Sequence, residues 1–482
     1  MASLVWFRQD LRIADNPALR AACESGDPLI PVYIFSPQEE GAWAPGAASR
    51  VWLHQSLGAL EKALQGLGSR LIVRSAADSL HELATLCRDS KVDRVFWNRR
   101  YEPLVIARDT RIKEMLEHEG IEVRSFNASL LFEPWEIRTK SAGPFQVFTP
   151  FWRACLAEAD PAAPLAAPAS LKSPERWPES TPLSALGLLP RIKWDQGIVK
   201  AWHPGSAGAE DTLSRFLHEA YEHYATGRDV PGRLGTSRLS PHLHFGEIGP
   251  RQVWHALKRF ALKRGQHTSW RRSQFLTELG WREFAHHLLY HFPHTPEKPL
   301  REKFARFPWR DDQGAVRAWQ RGATGFPIVD AGMRQLWHTG WIHNRVRMIV
   351  GSFLVKDLLA SWNLGAAWFW DTLVDADLAS NTLGWQWTAG CGADAAPYFR
   401  IFNPVTQATR FDPEGTYVRE WVPELARLPG AWIQQPWAAP ADVLREAGVH
   451  LGTSYPRPLI DHKLARERAL AGLATLDKER ST

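Results

Sequence analysis

The chain has 482 residues, 44% of them hydrophobic and 23% charged, and carries a formal net charge of +6. That length holds two or three domains, and the composition is that of a globular protein, which excludes disordered, collagenous and fibrous classes. A balance of 58 basic against 52 acidic residues permits a nucleic-acid partner without requiring one. No apolar run reaches the roughly 18 residues a membrane span needs, so none is expected. The N-terminal Met1-Ala-Ser-Leu-Val-Trp-Phe-Arg8 meets charge too soon for a secretion signal. Cys23, Cys87, Cys155 and Cys391 lie far apart with no CxxC, which argues against zinc, an iron–sulfur cluster and a disulfide framework, and fits the reducing cytoplasm. Among the 18 His, His242 and His244 sit too close together and lack partners, and His286 and His287 point to different helix faces, so no metal site is expected. The outlying count is 24 Trp. An indole N–H wants a partner, so Trp is a poor bulk filler, and the excess points to stacking on flat ligands or electron transfer between indoles.

Residues 3–7 read as a short buried strand, followed by Asp15-Asn-Pro17 as the start of a helix through Ala22. Apolar runs recur at 29–35, 71–73, 94–97 and 121–126, separated by helical patterns at 51–67 and 101–118. Strands alternating with helices predict βαβ units and a parallel, Rossmann-like sheet. No GxGxxG follows the first strand, so the dinucleotide fingerprint is missing. Ligands of such sheets sit at the carboxyl ends of the strands, where 35–43 and 97–101 fall. From about residue 160 to 204 the pattern gives way to an Ala/Pro-rich connector, read as a linker crossing the surface. The expected division is therefore 1–130 as an α/β domain, 131–206 as a linker and 207–482 as an all-α domain. In the last part, 211–225 reads as helix, Ser240 as a cap with Pro241 first in the helix, Gly249-Pro250 as a second such start, and 269–292 as one long amphipathic helix. Glu278 and Arg282 fall four residues apart on that helix, with Trp281 beside them.

The densest stretch runs from Thr324 to Pro404. Ile342, Val346, Ile349 and Phe353 recur at helical spacing and predict one buried stripe, while Asn344, Arg347 and Asp357 fall off it. Buried Arg and Asp need partners. Two readings follow: a helical core with an internal ion pair, or a polar-rimmed cavity for a large cofactor.

Several motifs, in order, resemble the photolyase/cryptochrome family: Val5-Trp-Phe-Arg-Gln-Asp-Leu-Arg12, Gly235-Thr-Ser-Arg-Leu-Ser-Pro241, Trp281-Arg-Glu-Phe284, Gly340-Trp-Ile-His-Asn-Arg345, Gly384-Trp-Gln-Trp387 and Tyr398-Phe-Arg-Ile-Phe-Asn-Pro404. The resemblance implies an N-terminal α/β antenna domain and an all-α C-terminal domain holding FAD, active as FADH⁻. It assigns Tyr224, Thr236, Ser237, Arg238, Leu239 and Ser240 to the flavin's phosphates and adjoining groups. Asp375, Ala376 and Asp377 match the loop at the flavin ring and ribitol, Arg347 the cation paired with Asp375, and Arg282 and Glu278 further cofactor contacts. Asn381 matches the residue facing flavin N5. Asn there resembles photolyases, whereas plant cryptochromes carry Asp and animal ones Cys. A neutral amide supports an anionic reduced flavin, and a carboxylic acid would offer it a proton.

On the substrate side the resemblance gives Glu278, Trp281, Asn344, Arg345, Met348 and Trp387 as the pocket for a cyclobutane pyrimidine dimer in UV-damaged DNA, with Arg228 and Arg345 on phosphates. Flipped bases need stacking planes and hydrogen-bonding edges, and these residues supply both. Enzymes for (6-4) photoproducts carry two adjacent His where this chain has Asn344-Arg345. Trp385, Trp362 and Trp309 match the family's three-indole electron chain, and Glu278 the group that stabilises the dimer radical anion. The implied activity is light-driven dimer repair by a monomer. The alternative, a blue-light photoreceptor, is disfavoured by Asn381 and Met348. Leu104 and Val105 stand where folate-binding class I enzymes have an Asn-Glu pair, and the segment from Pro37 to Arg50 is more similar to plant cryptochromes and class III photolyases. The antenna pigment expected on that ground is methenyltetrahydrofolate at the class III site.

Overall fold

The computed structural model describes residues 2–395 and 400–478, so Tyr398 and Phe399 of the last matched motif lie outside the described residues. The chain divides into two compact units, each discontinuous in sequence: Met1–Glu219 with Ser237–Pro293 and Val374–Ala379, and Ala220–Thr236 with His294–Leu373 and Ser380–Thr482. This differs from a division at the Pro-rich stretch. The connector pairs its backbone with the α/β layer: Asp15 donates to the Leu165 carbonyl, Leu29 to Lys172, Leu171 to Leu67 and Thr181 to Val73, at 2.7–2.9 Å. Trp177 packs against the sheet's core from the same connector.

In the first unit, five strands form one parallel sheet: β1 (Ala2–Phe7), β2 (Leu29–Phe35), β3 (Ile72–Ser75), β4 (Val92–Asn98) and β5 (Glu122–Phe126), in the order β3-β2-β1-β4-β5. Four helices intervene: α1 (Pro17–Glu24), α2 (Ala47–Gly66), α3 (Ser79–Asp89) and α4 (Pro103–His118). Asn16 caps α1 by accepting from the Leu19 N–H at 3.1 Å, as the Asp-Asn-Pro signal predicts. β1 and β2, inside the sheet, are near-continuous apolar runs, whereas the edge strand β5 exposes Glu122 and Arg124; Leu4, Trp6, Val32, Ile72, Val95 and Trp97 are buried in one core.

The carboxyl ends of β1 and β4 form the switch point of this sheet. Buried polar groups fill it. Asn98 donates to Asp10 at 2.5 Å and to Asn16 at 2.8 Å, and Arg8 bonds Asp109 at 2.7 Å and the Asn98 carbonyl. Arg12 is 2% exposed and spends its guanidinium on the carbonyls of Asp15, Gly246 and Ala128. Gly246 has φ +64°, and a Cβ there would stand 2.2 Å from the Gln9 carbonyl oxygen, so only glycine fits. The ligand-facing segment expected at 35–43 becomes a 3₁₀ helix, Pro37–Trp43. Its Glu39 accepts from Ser79, and Glu40 is gripped by Arg100 at 2.8 and 3.0 Å.

The helix expected over 269–292 is two pieces. A 3₁₀ turn, Ser269–Arg272, precedes the helix Gln274–His291, because Ser273 turns extended (ψ 144°) and caps the second piece through the Leu276 N–H. Likewise 211–225 resolves into a helix, Ser206–Glu219, and short turns after it.

The second unit is helical. The motif Thr324–Asp330 proves to be a structural anchor. Buried Asp330 accepts from Thr324 N and Oγ1 at 2.7 Å, from Gly325 N at 3.0 Å and from Tyr455 Oη at 2.7 Å. It fixes the start of the helix Pro327–Thr339, which ends on Gly340 at φ +66°. Gly332 lets that helix meet the helix Asn344–Ser352 closely, since a Cβ would stand 2.4 Å from Val346 Cγ1. Ile342, Val346, Ile349 and Phe353 are all at most 1% exposed, the predicted stripe. Phe353–Asp357 then widens into a π-helical turn, and buried Asp357 pairs with His462 at 2.6 Å. Among the described residues no helix is long and apolar enough to cross a membrane.

Candidate functional site

In the first unit, the turn 237–240 is tightly bent. Arg238 takes a left-handed φ of +54°, and its guanidinium lies 4.1 Å over Trp202. Ser237 Oγ accepts from the Leu239 N–H at 3.4 Å. Ser240 does not cap the following helix: Leu239 holds the N-cap position, and the Ser240 hydroxyl donates to Asp375 Oδ2 at 2.6 Å instead. A carboxylate offers that hydroxyl a stronger, charge-assisted bond than a backbone N–H would. Ala376 is buried beside it. Asp377 faces His286 Nε2 at 3.4 Å and His244 Nδ1 at 3.8 Å. Burial would raise its pKa, but the charge of His286 and hydrogen bonding from both imidazoles outweigh burial and hold it well below the usual carboxylate range. His244 therefore has a partner, contrary to the sequence reading, and so has His242, whose Nδ1 bonds Glu247.

On the helix Gln274–His291, Glu278 accepts from Gln274 Nε2 at 2.7 Å. Arg282 instead bonds the Ser129 carbonyl at 2.6 Å and lies 3.5 Å from Glu283. Trp281 stacks face to face on Phe148, with ring centroids 3.8 Å apart and planes 9° from parallel. Its ring plane is thereby fixed, as a stacking platform must be.

In the second unit, Gly235 packs on the Gly227 carbonyl, where a Cβ would stand 2.4 Å from the oxygen. This seats Thr236 against the short helix Tyr224–Gly227, whose Tyr224 is buried. Asn381 donates its amide N–H to the Ala366 carbonyl at 3.1 Å. A carbonyl can only accept, so the amide orientation is set and Asn381 presents its oxygen elsewhere. Arg347 donates Nε to the Ile342 carbonyl at 2.9 Å.

The first turn of the helix Asn344–Ser352 is the polar face of this unit. Asn344 is exposed and Met348 half-buried. Arg345 pairs with Asp229 at 2.7 Å, lies 3.9 Å from Met348 Sδ and sits 4.3 Å over the Phe411 ring. His343 caps the helix by accepting from the Arg345 N–H at 3.2 Å, which requires an unprotonated Nδ1. Burial first, then the charges of Arg345, Arg228 and Arg347 against the opposing pull of Asp229, bring its pKa down to about 4. The three arginines thus surround a neutral imidazole, a net positive cluster suited to phosphate. Trp387 is half-buried.

Trp385, Trp362 and Trp309 all lie in this unit, where the Trp385 ring packs edge-on against Trp319 and Phe369. Gly365 lets the Trp385 ring lie against the helix Trp362–Thr372, since a Cβ at Gly365 would stand 2.1 Å from Trp385 Cη2. Trp362 opens that helix. Three residues before it, the Leu359 carbonyl accepts from the Arg310 N–H at 2.7 Å, next to half-buried Trp309. Trp309 in turn packs on Phe307 at 4.4 Å.

A family described as "FAD binding domain of DNA photolyase" matches residues 275–475, and one described as "DNA photolyase" matches residues 3–169. The chain is 50% identical to a deoxyribodipyrimidine photo-lyase of Agrobacterium fabrum over 98% of both lengths. The chain belongs to the photolyase/cryptochrome family. The crystal structure of a class III photolyase from Agrobacterium tumefaciens superposes with a TM-score of 0.95, at 50% identity, covering 99% of this chain and 98% of that one. Cryptochrome-1 of Arabidopsis thaliana is 41% identical, covering 98% of this chain and 70% of its own length.

The donor set fits the FAD of a photolyase. In the first unit the fitting groups are Ser237, Ser240, Asp375 and Asp377. Hydroxyls and a sharply bent backbone suit phosphate oxygens, and carboxylates suit ribityl O–H and ring N–H groups. Sequence reasoning missed Phe148, Gln274, Asp229 and His343, which contact Trp281, Glu278, Arg345 and the first turn of the helix Asn344–Ser352. The pairings Phe148–Trp281 and Asp229–Arg345 join residues more than 100 positions apart and left no local signal. Among the described residues no three His, Cys, Asp or Glu side chains are grouped to hold a metal ion.

Proposed function

We propose that this protein repairs cyclobutane pyrimidine dimers in DNA under blue light, as a deoxyribodipyrimidine photo-lyase of the class III type. The observation that carries the reading is 50% identity to a deoxyribodipyrimidine photo-lyase along 98% of both chains. The donor set would hold FAD, which as FADH⁻ would supply the light-driven one-electron chemistry that splits the dimer. The chain's own residues bind, orient and shield. Ser240 and Asp375 brace the cofactor loop, and Asn381 offers an amide oxygen that carries no acidic proton. Glu278, held by Gln274, places a carboxyl against the dimer's polar edge and stabilises charge developing there. Trp281 on Phe148, with Trp387 and Met348, supplies stacking planes for the flipped bases. Asn344 bonds a base edge, and Arg345 and Arg228 neutralise phosphates, so affinity falls with salt. Trp385, Trp362 and Trp309 relay electrons inward from solvent. The protein acts as a cytoplasmic monomer, with methenyltetrahydrofolate as antenna.

Blue light on a dimer-containing oligonucleotide with fully reduced protein is expected to restore intact pyrimidines, and the dark control to leave the dimer. No restoration in light would sink the proposal. Trp385→Phe is expected to block photoreduction of the oxidised protein yet spare repair by pre-reduced protein; efficient photoreduction in the variant would contradict the indole relay. The photoreceptor reading draws on 41% identity to a cryptochrome, and the stronger likeness to a photo-lyase favours repair.

A further inference from the structure

Asp377 is flanked by two imidazoles whose protons can be placed from their surroundings. His286 Nδ1 lies 3.0 Å from the Arg282 carbonyl oxygen. A carbonyl only accepts, so Nδ1 carries a hydrogen. The other nitrogen, Nε2, lies 3.4 Å from Asp377 Oδ2. A bare nitrogen lone pair against an ionised carboxylate would be repulsive, so the pair holds one proton between them. His244 differs. Its Nε2 lies 3.4 Å from Gln9 Nε2, an amide donor, so Nε2 accepts and the hydrogen sits on Nδ1, which points at Asp377 from 3.8 Å. His244 is only 8% exposed, so that Nδ1 faces Asp377 away from solvent.

Charged and titratable groups of the first unit surround the trio. Arg282 opposes a positive His286, and Glu102 acts on Asp377 through its negative charge. Glu283 senses the charge of His286, and Tyr101 meets its ring edge-on with centroids 6.5 Å apart. Within this frame the proton rests on His286: burial lowers its pKa, but Asp377's charge and hydrogen bonding raise it further, while Asp377 is held down. The result is an imidazolium–carboxylate pair with a second, neutral donor alongside.

We propose that His286, with His244 as second donor, is a positioning residue that keeps Asp377 an oriented anion for the cofactor. Neither histidine touches the reacting atoms, and both act through Asp377. The proposal rests on the assignment of Asp377 to FAD binding. Its consequence is that FAD affinity in the native protein does not titrate over the mildly acidic range, because the carboxylate stays charged there.

The test is FAD binding to apoprotein, read by flavin fluorescence from pH 5 to pH 8, with far-UV circular dichroism to check folding. Native protein is expected to give a flat profile. His286→Gln removes the cation, and Asp377 then takes up a proton as pH falls, weakening FAD binding roughly tenfold from pH 8 to pH 5. His286→Lys restores the charge and is expected to flatten the profile again. Asp377→Asn weakens binding at every pH, and adding His286→Gln to it costs nothing more. A flat profile for His286→Gln, or additive losses in the double variant, would overturn the proposal. If instead Asp377→Asn binds FAD as tightly as native protein, the cofactor assignment of Asp377 fails, a distinct outcome.

Discussion

Two polar clusters sit in apolar stretches of this chain, and they have opposite fates. At the switch point of the parallel sheet, Arg8, Asp10, Arg12, Asn16 and Asn98 are at most 5% exposed and bond one another and nearby carbonyls. In the first turn of the helix Asn344–Ser352, Asn344 is exposed and the Arg345 side chain 20% exposed, opposite an Asp229 that is 32% exposed. A buried cluster whose side chains bond one another and the backbone is closed and serves folding. A cluster left partly to solvent can exchange its partners for a ligand's. The sheet end, where ligands of such folds usually bind, is the closed one here, and the helix turn is the open one.

That contrast can be broken most forcefully at Arg12. Replacing it by Ala leaves the carbonyls of Asp15, Gly246 and Ala128 without their buried donor. A loss of about 3–5 kcal/mol in denaturant unfolding is expected; a loss below about 1 kcal/mol would mean the cluster is not structural.

Glu283 gives the next largest effect, as a buried group with a pH signature. It accepts from the Leu131 and Phe132 N–H groups while buried. Burial pushes its pKa up to about 7, against the lowering by Arg282, His286 and those N–H groups. The folded value lies above the ordinary 4.5. Its stabilisation is therefore complete below that value and lost as pH rises through about 7. On the order of 3 kcal/mol is at stake between pH 4.5 and 8. Glu283→Gln should flatten thermal stability across this window, and an unchanged slope would count against the assignment.

The smallest expected change in free energy is at the open turn. Arg345→Ala should weaken DNA binding about tenfold and reduce the salt slope by about 1, with stability within about 1 kcal/mol of native. A large loss of stability with unchanged salt slope would place Arg345 among the closed groups instead.

The sequence made the sheet legible because central parallel strands such as Leu29–Phe35 are buried and apolar, and each run from Leu29 to Phe126 became a strand. Helix starts with Pro, at Pro17 and Pro250, were legible for an equally local reason. The motif residues were legible through resemblance rather than physics. What was not legible depends on partners distant in sequence. Ser240 has the chemistry of a cap, yet Asp375, 135 residues on, takes its hydroxyl. Ser273 breaks a helix that periodicity continues. The Pro-rich connector lacks periodicity because it pairs through backbone groups, which composition does not reveal. His244 and His286 were read as ordinary because nothing local tells that both face Asp377.

The most direct test of the account is single-turnover repair by pre-reduced protein under blue light, on two oligonucleotides of one sequence. One carries a cyclobutane dimer and the other a (6-4) photoproduct at the same step. With Asn344 and Arg345 in place of paired histidines, the dimer should be restored and the (6-4) product left intact. Restoration of the (6-4) product, or of neither lesion, would contradict it.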